Sequence, residues 1–482
     1  MAKTRQYAAV LWILAAAGAA LHVCASLGTP MGAASDDALH LLLARNLLHG
    51  GFALPDAAGV PATAPLPGFA LLMALPVGVL SPHWALLRGA ALLSTLVLTV
   101  LAFRLCRRLS GDAAGWAAVF FVAANPVLAA WSGVALPDIP FAAVSVGAFL
   151  LIAREDPPLP GVIALAALAA LLRPQGAVLA AALAAGVGFR GGAKKAGAVL
   201  AGALAPLALW LLRGHLLTGS ASSYLDDWRR LQALGDTSLL FRAATLAAGL
   251  GRGLFGELSP LAALAGLLLA VAAAVSGALR LWRSRAPGAR VVVLAAVVYG
   301  AGLALLHAGW RTWDSRYVLP FLAPALPLWA AAFAGLYERK RETAIAALLL
   351  ALAPGLWDVG NAAAAGASAP RADLFPAAAA WIRENVPEKG AVVTTEPFWF
   401  ALTTGRRAYF PPAAPTRELW IEALRAAGVR CVVVHRQAAR PGLVRPEDRT
   451  PLTDFDDWAV PSPPLTLGQA DDAEDLLLLK LD

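Results

Sequence analysis

Two adjacent carboxylates, Asp36 and Asp37, follow shortly after the first strongly apolar run of the chain. An ionised carboxylate costs several kcal/mol in hydrocarbon, so the pair must lie at the water edge of a membrane or in a polar cavity. The acids open residues 35–48, whose apolar side chains recur at helical spacing. We predict a short amphipathic helix along the membrane surface, whose leading acids suit a catalytic base that faces a lipid substrate.

Other polar residues occur at the ends of the apolar runs and also need an explanation. A guanidinium group matches the oxygens of a phosphate in a bidentate manner, and carboxylates can transfer protons. This combination is what transfer of a group from a lipid phosphate requires. The candidate substrate-binding residues are Arg45, Arg88, Asp138, Arg173, Asp314, Arg316 and Tyr317.

Each candidate also has a purely structural interpretation. The acidic pair could cap a helix N-terminus, where negative charge is favourable. Asp138 could be a turn residue before Pro140, and Arg88 could anchor a helix at the interface. Arg316 and Tyr317 could form a similar interfacial pair. The functional interpretation therefore depends on the whole set of candidate residues and not on any single one. The histidines at positions 40, 49 and 307 share no metal-ligand spacing.

Composition identifies the class of protein. The 482 residues are 59% hydrophobic and 15% charged, whereas soluble domains have about 45–50% apolar and about 25% charged residues. The chain is therefore expected to be a polytopic α-helical membrane protein. Its net charge of +8 is a topology signal, and no nucleic-acid partner is expected. The three cysteines, at 24, 106 and 431, suggest neither a metal site nor a disulfide framework.

The apolar runs predict about eleven transmembrane helices. Some runs between 140 and 189 are shorter than the ~20 residues that a span requires, so tilt or local thinning of the bilayer is expected there. The predicted spans are 7–27, 84–105, 113–131, 140–153, 159–172, 177–189, 196–213, 259–281, 291–308, 317–336 and 343–357.

Positive charges orient these spans. With Lys3 and Arg5 inside, every second connection carries the basic clusters, namely those at 104–108, 154, 190–195, 280–290 and 339–341. The N-terminus is then cytoplasmic, the C-terminus is extracytoplasmic, and the candidate site residues share the outer face. An extra span at 65–76 would place the later basic clusters on the outer face of the membrane. We therefore predict a juxtamembrane or re-entrant helix there.

The predicted domain organisation has two parts. Residues 1–358 form a transmembrane catalytic module, with a first outer loop at 28–83 and a second large outer loop at 214–258. Residues 370–482 form a small C-terminal α/β extracytoplasmic domain. In that domain, predicted helices at 377–385 and 417–427 alternate with predicted strands at 390–395 and 429–434.

Five motifs in order resemble the integral-membrane GT-C glycosyltransferases, in particular the protein O-mannosyltransferase and aminoarabinose-transferase (ArnT-like) lipid A transferase group. The first two are the acidic pair and the Leu-Ala-Arg-Asn-Leu-Leu-His-Gly-Gly-Phe run at 43–52. The others are Pro-Leu-Pro-Gly at 65–68 with the following Arg88, Leu-Pro-Asp-Ile-Pro at 136–140, and Asp-Ser-Arg-Tyr-Val-Leu-Pro at 314–320. The resemblance covers about residues 1–340.

The resemblance implies a polyprenyl-phosphate-linked sugar as donor and a hydroxyl of a glycan, lipid or protein as acceptor. It implies inverting transfer at the outer face of the bacterial inner membrane, with Asp36 as general base. Asp37 would orient the acceptor, or would hold a divalent metal together with Asp36 if one is used. Arg88, Arg173 and Arg316 would stabilise the phosphate leaving group.

Three other functions remain open at this stage. A lipid-linked sugar transporter would favour charges at mid-membrane and inverted repeats, whereas the charges here lie at span ends. A polysaccharide polymerase or ligase would carry its key Arg and His residues in a late outer loop, whereas the acids here follow the first span. A non-catalytic scaffold is the third. The sequence favours the glycosyltransferase.

Overall fold

A computed structural model describes most of the chain. The described residues are 2–27, 36–53, 61–63, 65–80, 84–219, 239–256, 260–308, 315–368, 382–384, 386–387, 390–394, 397–406, 408–409, 417–435, 465–468 and 476–481. The chain divides into two compact units. The first comprises Met1–Thr29 and Thr63–Ala369, and the second comprises Pro30–Ala62 and Pro370–Asp482.

In the described residues of the first unit, the regular secondary structure is helical. Its helices, in chain order with α2 reserved for the second unit, are α1 (Ala2–Leu27), α3 (Pro67–Leu80), α4 (Trp84–Ser110), α5 (Asp112–Ala123), α6 (Pro126–Trp131), α7 (Asp138–Ile152), α8 (Leu159–Leu172), α9 (Gln175–Thr218), α10 (Leu239–Phe255), α11 (Pro260–Arg283), α12 (Ala289–Ala308), a 3₁₀ turn (Ser315–Val318), α13 (Leu319–Arg339) and α14 (Arg341–Ser368). Where the structure describes them, the predicted apolar runs therefore lie mainly in helices.

The length of these helices limits what they can span. Among the described residues, six helices are long and apolar enough to cross a membrane, at 86–110, 175–218, 261–283, 289–307, 315–339 and 341–365. Five other apolar helices have 10–17 residues. The protein is thus a mostly helical membrane protein, and the count of eleven spans stays a prediction.

Three predicted spans differ in detail from the helices observed. The run 113–131 is not one helix, because it breaks between α5 and α6 at Asn125. The Asn125 side chain accepts a hydrogen bond from the N–H of Leu128 at 2.8 Å, and Pro126 occupies the first turn of α6. An asparagine cap followed by proline is a helix-start signal, which the apolar pattern concealed. The runs 177–189 and 196–213 both lie in α9, which is kinked at Gly192 with φ +79°.

The second unit contains the sheet. Its described elements are α2 (Asp36–Leu48), β1 (Ala391–Thr394), α15 (Pro397–Thr404), β2 (Ala408–Tyr409), α16 (Arg417–Ala426), β3 (Val429–His435), β4 (Leu465–Gly468) and β5 (Leu476–Leu481). The predicted strands at 390–395 and 429–434 and the predicted helix at 417–427 are confirmed. The predicted helix at 377–385 lies largely outside the described residues.

The five described strands form one mixed sheet in the order β2-β1-β3-β5-β4. The strand β1 is parallel to both β2 and β3, because α15 and α16 provide the crossovers that parallel strands need. The hairpin of β4 and β5 adds to β3 in antiparallel fashion, with Val432 opposite Leu479. The sheet core is formed by β1 and β3, where Val392, Cys431 and Val432 are fully buried.

Candidate functional site

A buried ion pair joins two of the predicted site residues in the first unit. Nη1 of Arg173 donates a hydrogen bond to Oδ2 of Asp138 at 2.6 Å. The carboxylate is 1% exposed and the guanidinium 14% exposed. Asp138 is the first residue of α7, where the helix dipole favours negative charge. The two residues are 35 positions apart in sequence, so the packing of α7 against α8 and α9 brings them together.

The backbone at Arg173 explains why its side chain is available. The residue lies between α8 and α9 with extended dihedral angles, φ −149° and ψ 150°, because the following Pro174 disfavours a helical conformation before it. The chain then turns at once, since the N–H of Gly176 bonds to the carbonyl of Arg173 at 2.9 Å. A Cβ atom at Gly176 would overlap the backbone of Ala169, so this sharp hairpin requires glycine.

The Pro-Leu-Pro-Gly motif lies beside the same hairpin. A Cβ atom at Gly68 would be 2.6 Å from the carbonyl carbon and oxygen of Leu171, so the start of α3 packs directly on the last turn of α8. Leu66, Pro67 and Gly68 are buried there. The glycine permits a close backbone approach one turn from the ion pair, and this packing is the structural role of the motif.

Further polar groups surround Arg173, and the sequence analysis did not select them as substrate-binding residues. Arg173 is within electrostatic range of the phenol of Tyr299 and of the imidazole of His307. Gln175 is only 6% exposed, and within the described residues its Oε1 atom has no hydrogen-bond partner, nor does Nε of Arg173. A polar residue next to the Arg-Pro turn and a tyrosine inside an apolar span were the available signals. The cluster could bind a polar substrate group.

The late motif contributes two aromatic contacts. The guanidinium carbon of Arg316 is 5.8 Å from the ring centre of Trp131, a cation–π distance, and Nε1 of Trp131 donates to Oγ of Ser315 at 3.3 Å. The ring of Tyr317 is centred 5.4 Å from that of His307, so this motif reaches the surroundings of Arg173. Asp314 lies outside the described residues.

Arg88 is also placed by the first unit. It is half-buried near the start of α4, and its Nε atom is shielded from solvent. The interfacial-anchor interpretation and the substrate-binding interpretation are both compatible with this burial. The role of Arg88 therefore stays a prediction.

The acidic pair belongs to the second unit, at the start of α2. Asp36 is exposed and Asp37 is fully buried. Oδ1 of Asp37 accepts a hydrogen bond from the N–H of Ala38 at 2.9 Å. Both acids lie in the first helical turn and Arg45 lies half-buried in the last, a charge arrangement that the helix dipole favours. The helix is therefore held by the burial of its apolar face against α15, while Asp36 remains accessible to solvent.

The end of α2 explains the Asn-Leu-Leu-His-Gly-Gly-Phe part of the 43–52 motif. Gly50 has φ +87°, and the N–H groups of Gly50 and Gly51 bond to the carbonyls of Leu47 at 3.2 Å and Asn46 at 3.0 Å. This is a Schellman motif, the glycine-dependent helix stop. Nδ2 of Asn46 donates to the carbonyl of Ala53 at 3.1 Å. The motif therefore ends the helix and directs the following chain.

The acidic pair is the candidate site for a metal ion. In the part of the chain that the structure describes, no group of three or more His, Cys, Asp or Glu side chains could hold a metal ion. Asp36 and Asp37 alone would supply two carboxylates from adjacent positions, and other ligands would have to come from substrate or water. Metal dependence stays a prediction.

The fold is similar to that of ArnT and of an archaeal oligosaccharyltransferase. The structure of ArnT from Cupriavidus metallidurans without ligand matches with a TM-score of 0.62 and 11% identity, covering 99% of this chain and 98% of that one. The same protein bound to undecaprenyl phosphate matches with a TM-score of 0.62 and 10% identity over 98% of both chains.

An archaeal enzyme shares the fold over a shorter stretch. The oligosaccharyltransferase of Archaeoglobus fulgidus, in complex with zinc and sulfate, matches with a TM-score of 0.57 and 16% identity over 84% of this chain. Our chain spans 64% of the length of that protein. No model of a protein family matches the sequence, and no curated protein sequence matches it. The resemblance to the GT-C glycosyltransferases therefore stands on the fold.

Proposed function

We propose that this protein is a membrane glycosyltransferase that moves a sugar from a polyprenyl-phosphate donor to a hydroxyl of a glycan, lipid or protein. The observation that carries the proposal is the buried Asp138–Arg173 pair with its polar surroundings, in a fold whose known examples transfer lipid-linked sugars. Undecaprenyl phosphate is bound to one of those proteins. The reaction takes place at the outer face of the bacterial inner membrane, with a cytoplasmic N-terminus.

The leaving group determines what the arginines do. When the bond between the anomeric carbon and the phosphate oxygen breaks, negative charge grows on the lipid phosphate. Fixed positive groups in a site shielded from water stabilise that charge by several kcal/mol, roughly 3–4 kcal/mol for one such donor. Arg173 is held in place by Asp138 at 2.6 Å, so its guanidinium loses little freedom on binding phosphate. Arg88 and Arg316 are the further phosphate partners in this proposal.

The attacking group needs a base. Asp36 takes the proton from the acceptor hydroxyl while its oxygen attacks the anomeric carbon from the face opposite to the phosphate, so the configuration inverts. The exposure of Asp36 supports this assignment, because an acceptor can reach the carboxylate. Asp37 is buried in the first turn of α2, and in this proposal it orients the acceptor. General-base assistance of this kind contributes about 10²–10⁴-fold.

The test uses purified full-length protein in nanodiscs with a panel of radiolabelled polyprenyl-phosphate sugars. Release of sugar from the lipid is followed with and without a native membrane extract as acceptor, and with and without a chelator. We expect wild-type protein to transfer sugar from one member of the panel. The Asp36→Asn variant should be at least about a hundredfold slower.

Asp112→Asn is the matched control, because Asp112 is also an exposed acid at the first position of a helix. It should transfer sugar at the wild-type rate. Equal rates for Asp36→Asn and wild type would remove Asp36 from the mechanism. Absence of turnover with every donor, in folded protein with extract present, would contradict the proposed function and favour transport or a scaffold. Loss of activity with chelator alone would assign a metal.

A further inference from the structure

A cavity in the first unit lies apart from the Asp138–Arg173 pair. Its volume is about 710 Å³, within the range of small-molecule sites. The walls come from α6, α10 and α14 together with the start of the 3₁₀ turn at Ser315. None of the residues that we assign to proton transfer or phosphate binding lines it. Its contents are therefore a separate question from the leaving-group site.

The charged residues in the lining of the cavity have balanced formal charge. Arg252 of α10 and Asp358 of α14 are the charged residues of its lining, so their formal charges cancel. Thr245, Ser315 and Asn361 add neutral groups that can both donate and accept hydrogen bonds. A phosphate or carboxylate would face the carboxylate of Asp358, whereas a neutral ligand with several hydroxyls can use every group. The lining therefore favours a neutral sugar over an anion.

The remainder of the lining is apolar and consists mostly of glycine and other small residues. Gly249 and Gly253 of α10 and the following Gly256 contribute to it together with Val127 and Ala248. Gly249 and Gly253 are four positions apart and so lie on one face of α10. A sugar ring has an apolar face as well as a hydroxyl edge, and a wall of backbone and small side chains lets that face approach closely.

The glycine at the end of α10 also positions the acid. A Cβ atom at Gly256 would overlap the carboxylate of Asp358, so only glycine lets this side chain lie against the backbone. The residue has φ +91°, a conformation that other residues rarely adopt. The placement of Asp358 in the cavity thus depends on a specific residue of another helix.

The position of the cavity's polar residues along α14 indicates that the ligand comes from the membrane. Asp358 and Asn361 lie in the last part of the candidate span 341–365. The neighbouring Trp357 is 72% exposed and Leu350 is 77% exposed, as expected for side chains that face lipid. Tryptophan is enriched at the membrane–water boundary, so the cavity is at the depth of lipid headgroups.

We propose that this cavity binds the neutral sugar headgroup of a membrane-borne glycolipid, which serves as the acceptor. The cavity supplies Arg252, Asp358 and Asn361 for the hydroxyls and the glycine face of α10 for the ring. The inference of a sugar-binding site depends only on the lining residues. The assignment of the bound glycolipid as the acceptor rests on the proposed function.

Photo-crosslinking tests the binding site without turnover. The probe is octyl glucoside with a diazirine in its alkyl chain, added to the full-length protein in phosphatidylcholine nanodiscs, and labelled peptides are identified by mass spectrometry. Octyl phosphate with the same diazirine is the anionic comparison. We expect the glucoside to label α6, α10 or α14 at least tenfold more than the phosphate does, and free octyl glucoside to compete.

Two variants and one control locate the site. Ala248→Phe fills the cavity and Asn361→Leu removes a polar group, and each should reduce labelling at least fivefold. Ala243→Phe places the same bulk on an exposed position of α10 outside the lining and should label as wild type does. Unchanged labelling in both cavity variants, or stronger labelling by the phosphate, would overturn the inference. Release of sugar from the polyprenyl-phosphate panel by wild-type protein, with acceptor extract present, is measured separately, so failure of the proposed function is distinguishable.

Discussion

Nη1 of Arg173 lies 2.6 Å from Oδ2 of Asp138, and the carboxylate of this pair is 1% exposed. A buried pair stabilises a protein less than its short distance suggests, because both ions lose their hydration. Removal of one partner is different, since it leaves a buried charge without compensation. The pair therefore couples the packing of α7, α8 and α9 to the presence of both charges.

Neutralising either member of this pair should be strongly destabilising. We expect Asp138→Ala and Arg173→Ala each to lower the free energy of unfolding by about 3–5 kcal/mol, and the double variant to lose clearly less than the sum. Denaturation in mixed detergent measures all three. Asp112→Ala is the control, because Asp112 pairs with Arg107 at the surface, with 71% and 58% exposure, and should cost less than about 1 kcal/mol. Additive losses would show that the two charges are not coupled.

Gly68 should not accept even one methyl group. Its Cβ position is 2.6 Å from the backbone of Leu171, which cannot move aside, so Gly68→Ala should cost about 1–3 kcal/mol. Gly89→Ala is the matched variant, since Gly89 lies inside α4 with no atom within 4 Å of its Cβ position. That change should stabilise by about 0.5–1 kcal/mol. Thermal unfolding in detergent compares the two, and equal shifts would refute the close approach.

The helix stop should depend on Gly50 and not on the adjacent Gly51. Gly50→Ala forces a left-handed conformation at φ +87° on a residue with a side chain, at about 1–2 kcal/mol. Both Cβ positions have open space around them, so crowding does not contribute. Gly51→Ala should change stability by less than about 0.5 kcal/mol. Thermal unfolding of both variants would contradict this explanation if their midpoints were the same.

Arg406 should be a structural residue of the second unit. Its guanidinium donates hydrogen bonds to the carbonyls of Ile382 at 3.3 Å and Val386 at 3.2 Å. It also bonds to Pro387 at 2.5 Å, so it satisfies carbonyls at the end of a helical segment. Arg406→Ala should lower stability by at least about 1.5–3 kcal/mol.

The control for Arg406 is an exposed arginine in the segment whose carbonyls Arg406 contacts. Arg383→Ala removes an exposed side chain and should change stability by less than about 0.5 kcal/mol. Arg406→Lys should not restore the loss, because an ammonium lacks the planar fork that reaches several carbonyls. Full rescue by lysine would show that charge alone matters. Thermal unfolding of the three variants decides this.

Cys431 should resist alkylation in the native protein. Burial raises the pKa of its thiol from 9.0 to about 12, so the reactive thiolate is scarce at pH 8–9. In a variant with Cys24→Ser and Cys106→Ser, iodoacetamide should label Cys431 only after unfolding. The raised pKa also means that the contribution of the buried thiol to stability is complete below pH 9.0 and declines as the pH rises toward about 12. Rapid labelling of folded protein at pH 8 would contradict this burial.

Local patterns in the sequence were sufficient for the secondary structure of several elements. The apolar runs, the α2 segment opened by Asp36, and the strands around Val392 and Val432 all form where predicted, because periodicity and chain-stopping residues act over a few positions. The break at Asn125 was missed, although its cap and proline are also local, because a continuous apolar composition dominated the interpretation.

The candidate site depends on contacts between residues that are far apart in sequence. The sequence selected Asp138 from its motif and Arg173 from its position at the end of a predicted span, but the tight hairpin at Gly176 and the packing of α7 bring them into contact. Gln175 of α9 and the α12 residues Tyr299 and His307 acquire their place beside Arg173 from the packing of two different helices. A polar residue after an Arg-Pro turn and a tyrosine inside an apolar span are local signals, but neither indicates which distant residue lies beside it, so sequence patterns did not select these residues.

The sequence by itself determined that this chain is a helical membrane protein with acids after its first apolar run and a small α/β part near its end. Those properties follow from transfer free energies and local backbone preferences, which are sums over neighbouring residues. Only the tertiary structure decided that Arg173 pairs with Asp138, that Gly68 packs on Leu171, and that α10 and α14 enclose a cavity. These relationships join residues far apart in sequence, and they depend on how closely the helices pack.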